Sequence, residues 1–96
     1  MLIRCSDNSI NIVLGSASEK EVELLFGADE PINTLHIDTK MPVVLREADL
    51  FKSSSAARNN GWDKEIPMGW SEWLIGKFKT KLFIFKNLPS IEEPVV

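Results

Sequence analysis

Apolar and polar residues alternate in short blocks along the 96-residue chain, and the period of each block predicts its structure. Met1–Cys5 and Ile10–Leu14 are apolar runs separated by Ser6-Asp7-Asn8-Ser9, whose side chains favour turns by bonding their own backbone; this predicts a β-hairpin. Ser18-Glu19-Lys20-Glu21 has the spacing of a capping box, in which the Ser18 hydroxyl accepts a first-turn amide and Glu21 reaches back. A helix of two to three turns is expected from there. Val22, Leu25 and Phe26 supply its apolar side, and Gly27 ends it without a Cβ clash.

Between Pro31 and Pro42 the period changes to two. Leu35 and Ile37 alternate with Thr34, His36 and Asp38, so 33–40 is read as a half-buried strand. Val43–Phe51 is open to two readings, since Val43, Val44 and Leu45 suit a strand while Leu45, Ala48 and Phe51 fit a helix face; a short helix after Pro42 is favoured. A second should be capped by Ser53 or Ser54, run over Ala56, Ala57 and Arg58, and stop at Asn59-Asn60-Gly61. Ser71–Ile75 and Lys81–Lys86 read as two strands joined by a turn at 76–80. In the second, Leu82 and Ile84 oppose Phe83 and Phe85, which marks a strand covered on both faces. The expected fold is α+β, a small mixed or antiparallel sheet with two or three short helices. Residues 1–90 should form a single compact domain, and the tail 91–96, with Pro94, should fray.

Composition narrows the chemistry. With 44% hydrophobic and 26% charged residues the chain has a globular balance. Cys5 is the single cysteine and His36 the single histidine, so neither an internal disulfide nor a four-ligand zinc site can be assembled, and a reducing cytoplasm is the expected compartment. No apolar run reaches the roughly 20 residues a bilayer requires, so no membrane partner is expected. Net charge is −3, but its distribution is uneven: residues 1–48 sum to −4 and residues 50–90 to +4.

Candidate catalytic groups are sparse. His36 and Asp38 share the predicted strand face, yet no second histidine or activated nucleophile accompanies them. Cys5 reads most simply as a small buried hydrophobe, Asp29-Glu30 and Glu92-Glu93 as solvated loops, and no phosphate-binding glycine motif is present. No enzyme activity, metal or cofactor is therefore expected.

The remaining candidate is a basic, aromatic segment. Lys52, Ser53, Arg58, Trp62, Trp70, Trp73, Lys77 and Lys79 lie within 28 positions, and Lys64, Lys81 and Lys86 extend the charge. Lysines neutralise phosphates and indoles stack on unpaired bases, a combination suited to RNA or single strands. The same lysines also suit the solvated side of a hairpin, and the same tryptophans a core. Leu50-Phe51-Lys52-Ser53-Ser54-Ser55-Ala56-Ala57-Arg58, with the later Ile75-Gly76-Lys77 and closing strand, resembles a shortened RNA-binding domain of the small-subunit ribosomal protein four type. That resemblance, over residues 50–86, implies RNA-facing roles for Lys52, Ser53 and Arg58. The family's helix continuation and its Val-x-Val-Asn-Gly strand are replaced here by Asn59-Asn60-Gly61-Trp62-Asp63-Lys64.

Two functions fit: a nucleic-acid-binding module acting through residues 52–81, or a protein-interaction module, such as a small phage or mobile-element inhibitor or adaptor. In the second, tryptophans anchor a partner and the acidic residues complement its positive charge.

Overall fold

The computed structural model describes residues 2–76 and 79–87. Four strands, β1 (Ile10–Gly15), β2 (Asn33–Leu35), β3 (Gly69–Ile75) and β4 (Thr80–Asn87), form one sheet in the order β2-β1-β4-β3. β1 runs parallel to both β2 and β4, whereas β3 and β4 are antiparallel neighbours. With helices α1 (Glu19–Phe26), α2 (Met41–Glu47) and α3 (Ser54–Ala57), this is a small α+β fold with a mixed sheet.

The two faces of the sheet differ sharply. Ile10, Ile12 and Leu14 of β1, Leu82 and Ile84 of β4 and Ile75 of β3 point to one side, where Met41, Val44, Leu45 and Ala48 of α2, Ala57 of α3 and Ile66 complete a buried core. Each large aliphatic side chain buried there contributes about 1.5–3 kcal/mol. This inner face holds the fold. On the outer face stand Asn11 and Val13, Phe83 and Phe85, and Trp70, Glu72 and Leu74, aligned by the registers Asn11↔Phe83, Val13↔Phe85, Trp70↔Phe85 and Glu72↔Phe83.

α1 is the thin cover of that outer face. Ser18 forms the expected capping box, its Oγ accepting from the Glu21 amide (3.1 Å) while Glu21 accepts from the Ser18 amide (3.0 Å), and Gly27 leaves the helix at φ 94°. None of its residues is fully buried. Pro42 sits in the first turn of α2, where its missing N–H costs nothing. Ser53 caps α3.

Two expectations need correction. The N-terminal hairpin does not form: the turn at 6–9 is present, but both edges of β1 are taken by β2 and β4, so Leu2–Cys5 has no strand to pair with. It is tied elsewhere, through Leu2 N–H to the Glu47 carbonyl (3.0 Å) and a two-way bond between the Ile3 backbone and the Asn33 amide (2.7 and 2.8 Å). The strand at 33–40 stops at Leu35, since β1 ends at Gly15 and the ladder has no partner beyond. The expected stop within Asn59-Asn60-Gly61 falls at Gly61, whose φ of 86° is non-helical; a wide π-type turn over Arg58–Trp62 leads to it from α3, with the Asn60 side chain bonding the Ala56 carbonyl (2.7 Å). The expected fraying of 91–96 falls outside the described residues.

Candidate interaction surface

β3 separates the tryptophans, because successive side chains of a strand face opposite ways. Trp73 belongs to the inner face, where its ring meets Trp62 edge-on with centroids 6.4 Å apart and its Nε1–H donates to Ser71 Oγ (2.9 Å). Both rings pack against the core. Trp70 is on the outer face, its Nε1–H donating to Glu72 (3.1 Å). Its ring lies near-parallel to Phe83, with 5.7 Å between centroids, and tilted against Phe26 of α1 at 5.2 Å.

The basic candidates are also divided. Lys52 and Arg58 are exposed at either end of α3, in the helical layer, and Arg58 donates to Ser55 Oγ (3.4 Å). Ser53 spends its hydroxyl on the Ala56 amide (3.1 Å). Lys64 rests over the Trp62 ring, 5.8 Å from its centroid. Lys79 is exposed at the β3–β4 turn with φ 52°, and Lys77 lies outside the described residues. Among the described residues, Lys52, Arg58 and Lys64 lie with α3 and Trp62 on the inner side of the sheet, away from the exposed Trp70 of the outer face.

His36 and Asp38 do not share a strand face. They stand exposed in a turn, and the Asp38 amide donates to His36 Nδ1 (3.1 Å), which occupies that nitrogen's lone pair. The Asp38 carboxylate lies 3.7 Å from the same nitrogen, with both side chains open to solvent. Among the described residues no group of three or more His, Cys, Asp or Glu side chains is placed to hold a metal ion. None of their helices is long and apolar enough to cross a membrane.

A cleft of about 420 Å³ is bordered by Asp38, Asp63 and Glu65 and by Lys40, Lys64 and Lys86, three charges of each sign. It offers no net field. No protein-family model, curated protein or solved structure matches the chain. What the geometry distinguishes is the outer face. β3 is an edge strand seven residues long, with one row of backbone groups unpaired by the sheet. Beside it Leu74 is 56% exposed and Trp70 37%, and Met68, just before the strand, is 55% exposed. Leu74, Glu72, Lys81 and Phe83 line a shallow groove of about 340 Å³ along it.

A smaller cleft of about 200 Å³ adjoins Trp70 on the side away from the free edge. Leu25 and Phe26 of α1, Trp70 and Phe83 wall it, with Ser9 and Asn11 from the sheet side and Asp7 and Glu30 on its border. Asp7 Oδ1 accepts from both the Ser9 hydroxyl (2.6 Å) and the Ser9 amide (3.1 Å). Those bonds hold its carboxyl below the ordinary value, and Lys81 adds to the effect. Behind it the Asn11 amide donates to Cys5 Sγ (3.3 Å). Burial pushes the Cys5 thiol up, and although Ser9 opposes this, Glu30 adds to it.

Phe26, Phe83, Leu74, Asp7 and Glu30 are absent from the sequence-based candidates. A signal for two of these, Leu74 and Phe83, was present: Trp70-x-Glu72-x-Leu74 and Phe83-x-Phe85 keep the two-residue period on the face opposite the aliphatic one. Asp7, Glu30 and Phe26 come from loops and a helix end, and only tertiary packing brings them there.

Proposed function

We propose that the chain is a non-catalytic protein-interaction module that takes an extended segment of a partner protein along β3. One observation carries this reading: among the described residues, a seven-residue strand edge is left unpaired beside an incompletely covered apolar face. Edge strands are normally guarded by lysine, proline, a bulge or a covering element, because their unpaired N–H and C=O groups recruit other chains. β3 has no proline and no lysine, and carries Glu72 as its sole charge. Strand addition satisfies the backbone, while alternate side chains of the added strand meet Trp70 and Leu74.

Charge indicates the kind of segment. The stretch from α1 to β2 holds Glu19, Glu21, Glu23, Asp29 and Glu30 against Lys20, and the outer face adds Asp7 and Glu72 against Lys81. A basic segment complements it. A photo-crosslinking residue at Leu74, with one at Ser55 on α3 as the control, tests this in cells that make the protein. A protein adduct specific to position 74 that survives nuclease is expected; an adduct at 74 that carries nucleotides, or no adduct specific to it, overturns the reading.

Nucleic-acid binding is the second reading, favoured by exposed Lys52 and Arg58 and by Lys64 over Trp62. It predicts an affinity for single-stranded RNA that falls steeply with salt and is lost in Arg58→Glu/Lys77→Glu. An RNA affinity that is absent at low salt rejects it.

A further inference from the structure

We propose that the cleft between Phe26, Trp70 and Phe83, bordered by Asp7 and Glu30, is a receptor for one cationic side chain, an arginine or lysine of the partner. The inference rests on the protein-interaction reading and names the chemistry its partner must present. At about 200 Å³ the cleft is smaller than the roughly 300–1,000 Å³ of small-molecule sites, which suits a single side chain. Phe26 and Phe83 pack against the Trp70 ring, with centroids 5.2 and 5.7 Å away, so the three form one continuous aromatic wall of the cleft. The apolar stem of an arginine or lysine packs against such rings while its charged head reaches the border.

Two carboxylates stand on that border. Asp7 has one oxygen committed to Ser9, which fixes its orientation. Glu30 is exposed and sits beside the Cys5 thiol. Lys81 acts electrostatically on Asp7 and is placed on the outer face of β4, next but one to Phe83. It competes with an incoming cation for the Asp7 field, so its removal strengthens binding.

The test uses the full-length ¹⁵N-labelled protein and a small probe, N-acetylarginine amide, with neutral N-acetylnorleucine amide as the control. Saturable shifts are expected at the Trp70 indole N–H and at the amides of Ser9, Asn11 and Phe83, with the arginine probe and not with the norleucine one. Asp7→Asn combined with Glu30→Gln should weaken the arginine probe by about tenfold or more. Asparagine keeps the Oδ1 acceptor that Ser9 needs, so the loop at 6–9 stays intact. Lys81→Gln should tighten the probe severalfold. Equal shifts from both probes, shifts that do not saturate, or binding indifferent to Asp7→Asn/Glu30→Gln overturns the proposal. Because the probe binds the isolated chain, the result is independent of the Leu74 crosslink, and either idea can fail without the other.

Discussion

Gly15 and Gly61 both have positive φ, 101° and 86°, yet their surroundings assign them opposite tolerance. A Cβ built on Gly15 would stand 1.9 Å from the Asn87 carbonyl oxygen, a backbone atom fixed by the β1–β4 ladder and by the Asn87 side-chain bond to the Ser16 carbonyl (2.9 Å). Nothing lies within 4 Å of the same position on Gly61. Gly15→Ala should therefore combine steric displacement with backbone strain and cost about 2–4 kcal/mol, whereas Gly61→Ala should cost about 1–2 kcal/mol from strain alone. Urea midpoints of the two variants check the ordering. Equal losses would mean that the end of the β1–β4 ladder gives way freely. Neither residue's role is visible in the sequence, because a glycine there signals a turn without saying what approaches it. The same holds for Trp62 and Trp73, whose mutual contact arises only when the π-type turn and β3 fold onto the same side of the sheet.

Elements defined by local chemistry were the legible ones. The Ser18 box, the Gly27 stop, a cap at one of the two candidate serines (Ser53) and the β3–β4 pair all depend on neighbours within a few residues and are where the sequence places them, whereas α2 begins at Met41, ahead of the Pro42 after which the helix was expected. The failures were non-local. Nothing in Met1–Cys5 reveals that both edges of β1 are claimed, one by a strand some 70 positions away, and the alternation through Ile37 outlasts the partner strand that would justify it. α1 shows how a locally specified element can be weakly held. With no fully buried residue, it is fastened mainly by its cap and by Phe26 on Trp70. Ser18→Ala should cost α1 about 1 kcal/mol and speed its amide exchange several-fold, leaving β1 and β4 unchanged. Hydrogen exchange resolved by residue measures this; a matching acceleration in β1 would show instead that α1 and the sheet open as one unit.

At the scale of the whole molecule, two titrating groups near one another bound the pH range of the fold. Asp7 is lowered in the folded state, so its contribution is present above the ordinary carboxylate pKa of about 4 and is lost as pH falls through the lower folded value. Cys5 is raised, so its contribution is present below about 8.5 and is lost as pH climbs through the higher folded value. Denaturant midpoints should decline on both flanks, with Cys5→Ala flattening the alkaline one; an unchanged alkaline slope in that variant would assign the loss to other groups.

The free edge of β3 raises the question of why the molecule would not pair with itself. Glu72 is the middle residue of Gly69–Ile75, so two copies meeting antiparallel in centred register would set Glu72 against Glu72, a like-charge pair that disfavours the match. A basic strand meets no such penalty. One carboxylate thus separates self-association from partner binding. Glu72→Thr removes the charge, adds a β-branched residue suited to strands and should convert a monomer into a concentration-dependent dimer or higher species. Glu72→Lys restores like-charge repulsion and should remain monomeric, while reversing the preference for a basic segment. Sedimentation equilibrium across a concentration series distinguishes the three proteins. If Glu72→Thr stays monomeric at the highest concentrations, the guard of this edge is something other than charge, and strand addition at β3 loses its main support.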